Sequence, residues 1–312
     1  MAREGPGVAA ALASSTLGGT SVVATRYLMG ALDPATLGVF RFGIGCVLLL
    51  PVALALRSPW PRRRDWPAVA LLGLLFFAAF PFLFNAALAH TTAARGALAL
   101  STQPLLTLAV GAALGVERLT PRKAAGVLLA TTGVALALDA GLADAPPRAW
   151  LGDLLMVGAA GCGALYNVWS RPFVRRSSPL SFSALGMAAG ACGLAALALT
   201  TRPAALPVLD PAGWAAMLYL GVIGGALTFY LWVFALGRTT PTRVAISVTV
   251  NPVVAALFGT LALGEPLDWP LLTGLAAVAA GIGVAATDGR RTAREPAAAS
   301  PGPAGLPGNR LP

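Results

Sequence analysis

Charge is what this sequence has least of. Only 11% of its 312 residues are Asp, Glu, Lys or Arg, against about 25% in a soluble domain. So few charges cannot cover a surface in water, which excludes a soluble fold and makes lipid the solvent. Acids are scarcer than bases, 12 against 22, and every acid lies in a loop or near the end of an apolar run. No carboxylate falls at mid-membrane depth, where a proton-coupling acid would be expected. Histidine is nearly missing, and a lone His90 excludes a multi-histidine metal site. Cys46, Cys162 and Cys192 lie inside apolar runs without metal-ligand spacing, as small buried residues rather than a disulfide or metal set. The GxxxxGKT, HExxH and GxSxG patterns are absent, which argues against an ATP-driven pump within this chain.

What is present is apolar: 57% hydrophobic residues and a mean hydropathy of +0.76. A spanning helix takes about 20 such residues. Ten segments qualify, at 8–30, 34–56, 67–88, 93–115, 121–138, 150–170, 179–200, 211–236, 241–263 and 269–287. Asp33-Pro34, Thr120-Pro121, Ser178-Pro179, Asp210-Pro211 and Thr240-Pro241 each put a capping side chain before a proline, and Asp268 stands where Thr120 stands in the earlier copy of a repeat. The first segment is too long for a cleaved signal sequence and reads as a retained helix. The net charge of +10 is spread over arginines between apolar runs and forms no basic face. It reads as cytoplasmic loops, with membrane lipid as a partner and no nucleic acid. With the N-terminus inside, 17 of the 22 basic residues fall on the cytoplasmic side, so both termini are expected there. The tail, 289–312, is rich in Pro, Ala and Gly and is expected to be disordered.

The chain repeats itself. Residues 87–134 align with 235–282 without a gap, 148 positions later, with 12 identities in 48 positions. These include Thr91/Thr239, Thr92/Thr240, Arg95/Arg243, Pro104/Pro252, Gly111/Gly259, Glu117/Glu265, Gly126/Gly274 and Gly133/Gly281. The starts of the halves match at an offset of 145, pairing Gly18 with Gly163, Arg26 with Arg171 and Pro34 with Pro179. The fold class expected is an all-α integral membrane protein of ten transmembrane helices. They form two inverted five-helix repeats, 1–145 and 146–288, because an odd number of spans inverts the second copy.

Polar side chains inside a bilayer are expensive and face a cavity or another helix. Those near mid-depth are Thr20 and Ser21 in the first segment, Ser101, Thr102 and Gln103 in the fourth, and Ser247, Thr249 and Asn251 in the ninth. Asn85 lies toward the outer end of the third, and Tyr166, Asn167, Tyr230 and Trp232 lie in the inner halves of the sixth and eighth. Substrate binding is assigned to Thr20, Ser21, Asn85, Ser101, Gln103, Tyr166, Asn167, Tyr230, Trp232, Thr249 and Asn251; the competing role for each is a helix–helix hydrogen bond. Gln103-Pro104 and Asn251-Pro252 occupy equivalent positions. Each proline removes an N–H and frees a carbonyl, that of Leu100 or Val248, so both prolines are expected to act as hinges. Glu117 and Glu265 sit in turns at the membrane surface, structural or coupling in role. Arg26 and Arg41 are placed to snorkel to the outer headgroups, with contact to substrate or a partner helix as the alternative for Arg41. Gly186 and Gly190 form a GxxxG face suited to packing the halves together.

Gly18-Gly19-Thr20-Ser21 with Arg26, then Arg41-Phe42, then Ala87-Leu88, Thr91, Thr92, Pro104, Glu117, Gly126 and Gly133 resemble an EamA-type repeat of the drug/metabolite transporter superfamily. Ala235-Leu236, Pro252, Glu265, Gly274 and Gly281 resemble its second copy. The sequence departs from that pattern where Gly18 and Gly163 replace a tryptophan, where Val116 separates Gly115 from Glu117, and where Gly186 stands opposite Arg41. The resemblance implies a secondary transporter in a bacterial inner membrane, exporting small metabolites, amino acids or drugs by alternating access. It implies a small-molecule substrate and no cofactor, and leaves a homodimer open. The alternative is a membrane-embedded enzyme or lipid-handling protein, which a single histidine and the lack of intramembrane acids disfavour.

Overall fold

In the computed structural model of the chain the described residues are 5–116, 145–201, 208–267 and 269–277, with 120–121, 124–126, 128–129, 132–133, 136 and 280–281. Within them every regular element is helical. Eight helices are long and apolar enough to cross a membrane: α1 (Gly5–Leu28), α2 (Pro34–Ala55), α3 (Arg63–Leu88), α4 (Ala93–Ala113), α5 (Ala149–Trp169), α6 (Pro179–Thr200), α7 (Pro211–Arg238) and α8 (Pro241–Leu263). They are the first four and the sixth to ninth expected segments. Half of the fifth and much of the tenth, with Glu117, Asp268 and 289–312, lie outside the described residues.

The expected helix starts at Asp33, Asp210 and Thr240 hold. Asp33 accepts from the N–H groups of Ala35 and Thr36 at 3.1 and 2.9 Å, Asp210 from Gly213 at 2.8 Å, and Thr240 from Arg243 at 3.3 Å. Each side chain satisfies amides that the first helical turn leaves open, and the following proline has no amide to satisfy. Burial by itself would raise the Asp33 carboxyl, but the hydrogen bonds from Thr36 and Ala35 prevail and hold it below the ordinary carboxylate range.

The halves interlock rather than sit side by side. α1 packs on α7 and α8, while α5, its counterpart, packs on α3 and α4. α2 packs on α6 and on α7, and α6 in turn on α3. Exchanging the halves leaves this set of pairings unchanged. Glycine sets the α3–α6 approach: a Cβ on Gly186 would lie 2.9 Å from the Phe77 ring, and one on Gly190 2.4 Å from Phe77 Cβ. The GxxxG face therefore packs one half on the other, as its spacing predicts.

Two spans contain wide π turns, α3 over Leu75–Ala79 and α7 over Leu220–Leu227. They occupy equivalent positions in the repeat. In α7 the Thr228 hydroxyl donates to the carbonyl of Ile223, five residues back, at 2.7 Å, which is the spacing a π turn supplies. In α3 the turn precedes Pro81, whose missing N–H could not have closed an ordinary α turn. Phe76 and Phe77 within that turn meet Phe42 and Phe229 edge to face, with centroids 5.2–5.4 Å apart.

Candidate functional site

Two further spans break where an amide precedes a proline. α4 is helical over Ala93–Leu100, turns at Ser101 and Thr102, and resumes over Gln103–Ala113. α8 is helical over Pro241–Ser247, turns at Val248 and Thr249, and resumes over Val250–Leu263. Pro104 and Pro252 thus stand in the first turn of a half-helix, where an N–H has no helical partner. The Val248 carbonyl freed by Pro252 accepts from the Asn251 N–H at 2.8 Å. The hydroxyls at the breaks turn back as well. Ser101 donates to Ala97, Thr102 to Ala99, Ser247 to Val244 and Thr249 to Ile246, at 2.6–3.2 Å.

The resumed half-helices put Gln103 and Asn251 on one cavity of about 60 Å³. That volume holds a few waters. α1 contributes Ser14, Ser15, Gly18 and Val22, and α2 contributes Arg41. Phe76, Phe80 and Phe84 line it from α3, Thr228, Phe229 and Trp232 from α7, and Leu100 and Val248 from just before the breaks. Each amide faces a glycine of the opposite half. A Cβ on Gly18 would lie 3.2 Å from Asn251 Oδ1, and one on Gly163 would lie 2.7 Å from Gln103 Nε2. The glycines that depart from the EamA-like pattern are therefore what leaves room for the amides.

Arg41 does not snorkel. It is 5% exposed, and its Nε and Nη2 donate to the Gly224 carbonyl in the π turn of α7 at 3.3 and 2.9 Å. The guanidinium lies 5.7 Å from the Phe229 ring centre and 5.5 Å from that of Phe42. Gly224 and Gly225 make the space, since a Cβ on either would come within 3.3 Å of Arg41 atoms. At the equivalent place in the other half Gly186 faces the bulky Phe77, so the volumes are exchanged. Arg26 donates to the Leu88 carbonyl at 3.0 Å and lies 3.7 Å from Glu265. The Glu265 carboxylate in turn accepts from the Ala93 N–H at 2.9 and 3.1 Å. It thus joins the end of α1 to the start of α4, just past the end of α8. Beside it Arg95 makes a bidentate pair with Asp153, as close as 2.6 Å, between α4 and α5.

Of the residues singled out in the sequence, Gln103, Trp232 and Asn251 line the cavity, with Arg41. The others lie elsewhere in this conformation. Thr20 and Ser21 donate to Leu17 in their own helix, at 2.9 and 2.8 Å. Asn85 donates to the Pro34 carbonyl at 3.0 Å, fastening α3 to α2. Tyr166 is fully buried and stacks on Phe76 at 3.9 Å. Asn167 accepts from the Trp232 indole at 3.0 Å and donates to Thr107 at 3.4 Å. Tyr230 packs on Phe234, and Ser101 and Thr249 close the breaks. Ser14, Ser15, Thr228 and the phenylalanines were not singled out. The signal for Phe76, Phe80 and Phe84 was present as a spacing of four on one helix face.

A bundle of membrane-crossing helices, with broken and π-wound spans around a central cavity, belongs to the class of multi-pass membrane transporters. The model of the EamA-like transporter family matches residues 5–138 and 150–287, and the chain is a member of that family. A Streptantibioticus cattleyicolor protein named as a probable terminal-alkyne amino-acid exporter is 29% identical over 272 residues, 86% of this chain and 88% of its own. A Salmonella typhimurium protein named as a probable amino-acid metabolite efflux pump is 29% identical over 245 residues, 74% of this chain and 82% of its own. A solved crystal structure, 26% identical, superposes with a TM-score of 0.71 over 92% of this chain and 98% of its own.

Proposed function

We propose that this EamA-like transporter is a secondary exporter of small metabolites, amino acids or drugs in a bacterial inner membrane, working by alternating access. The observation that carries the reading is the matched pair of helix breaks, each presenting an amide to one cavity against a glycine of the other half. Broken spans at the interface of two repeats are where transporters bind their solutes. The export direction rests on the names of the two relatives.

Ten spans in two inverted halves, 1–145 and 146–288, with both termini inside, complete the proposal. Its support is positional. Arg95 at the start of α4 pairs with Asp153 near the start of α5, and a Cβ on Gly152 would lie 2.9 Å from the Ala87 carbonyl at the end of α3. These contacts support starts of α4 and α5 at one membrane face, and with them one further crossing between the two. The test is transport by purified protein in liposomes against a metabolite panel, with and without a pH gradient. Solute movement that depends on the protein is expected, and its absence across the panel would remove the reading.

A further inference from the structure

The polar groups around the cavity fall into two sets. Ser14 donates to the Thr228 carbonyl at 2.7 Å, Ser15 and Ser247 share a hydrogen bond at 2.7 Å, Thr228 donates to Ile223, and the Trp232 indole donates to Asn167. These are spent on the fold. The second set is unspent. Asn251 is 6% exposed and its Oδ1 has no hydrogen-bond partner. The Gln103 side chain, 2% exposed, forms no hydrogen bond among the described residues. Arg41 uses one edge of its guanidinium, Nε with Nη2, on Gly224, and Nη1 donates to nothing among the described residues.

A guanidinium buried to this degree is expensive without a countercharge. No acidic side chain lines the cavity. The Gly224 carbonyl supplies only a dipole. The free Nη1–Nη2 edge has the fork geometry that a carboxylate accepts end-on, and such charge-assisted pairs are the stronger hydrogen bonds. The unpartnered Oδ1 of Asn251 is an acceptor suited to an ammonium group. Between these groups the lining is aromatic, from Phe76, Phe80, Phe84, Phe229 and Trp232.

We propose that Arg41 is the carboxylate-recognition residue of this cavity, and that its ligands are apolar α-amino acids bound as zwitterions. The carboxylate pairs with the free edge of Arg41, the ammonium with Asn251 Oδ1, and the side chain lies among the phenylalanines. The cation lies on α2 and the acceptor on α8, so an occupant bridges the two halves. This rests on the transport reading and narrows its substrate class.

The experiment measures binding to the purified full chain in detergent, and uptake in liposomes, for leucine and phenylalanine, for their carboxamides, and for the matching amines without a carboxyl group. The wild type is expected to bind the acids at least about tenfold more tightly than the amides or amines, the worth of a charged hydrogen bond. Arg41→Gln is expected to abolish that preference, and Arg41→Lys to keep part of it. The comparison of acid with amide in the wild type stands even if Arg41→Gln fails to fold. Equal binding of acids and amides, or an unchanged preference in a monodisperse Arg41→Gln protein, overturns the proposal. Amines or cationic drugs moved by wild type and Arg41→Gln alike, with no amino acid moved, overturn it while leaving the transport reading intact. No binding or movement of any compound overturns both.

Discussion

Gln103 and Asn251 are buried amides whose hydrogen-bonding capacity the fold leaves unused. Removing that capacity costs the fold little and costs a ligand its partners. Gln103→Leu and Asn251→Leu should therefore insert and express normally, yet lower transport in liposomes at least several-fold. Asp153→Asn makes the opposite pattern. It leaves the Arg95 guanidinium, 8% exposed, without its charged partner, so it should lower the midpoint of thermal unfolding by several degrees before any transport is measured. The two amides were legible in the sequence because the repeat wrote the same amide–proline pair twice. Arg41 was not, because its destination is set by Gly224 and Gly225 on a distant span. The hydroxyls misled for a local reason: Ser and Thr in helices reach their own backbone three or four residues back, and sequence does not distinguish that from reaching inward.

At the scale of the helix, what matters is where the backbone departs from regularity. The breaks in α4 and α8 were legible from Pro104 and Pro252; of the π turns, Pro81 stands just after the one in α3, and nothing in the apolar run of α7 marks the other. The phenylalanine stripe of α3 escaped for a similar reason. In a segment apolar on every side, the face toward lipid and the face toward the cavity look alike. Gly163 sets the position of the Gln103 amide, and a methyl group there would meet it at 2.7 Å. Gly161 on the same helix has open space beside it. Gly163→Ala should impair transport while Gly161→Ala should not, and Gly163→Ala combined with Gln103→Ala should lose less than the sum of the two. Pro104→Ala and Pro252→Ala should slow the cycle more than they weaken binding, which single-turnover release from preloaded protein separates from equilibrium binding.

For the molecule as a whole, orientation is the property most open to direct test. Ala31 and Val208 are exposed in loops at one face of the proposed topology, and Arg63 and Arg175 at the other. In a background without the native thiols, cysteines at 31 and 208 should react with an impermeant reagent in intact cells, and those at 63 and 175 should not. The reverse pattern would turn the molecule over and make the same machinery face the wrong way for export.

In that orientation Glu265 stands on the outer side, and its carboxylate is a latch between the ends of α1 and α8 and the start of α4. Under the proposed export, that contact has to part for a solute to leave outward, so its strength is a toll on release rather than a contribution to affinity. About 1 kcal/mol, typical of an acid at a helix N-terminus, would hold the open mouth to roughly a fifth of the closed population. Glu265→Gln should therefore let an impermeant thiol reagent reach a cysteine at Val22, inside the cavity, several times faster from outside. A transporter with that change would release faster and hold less well against a returning gradient.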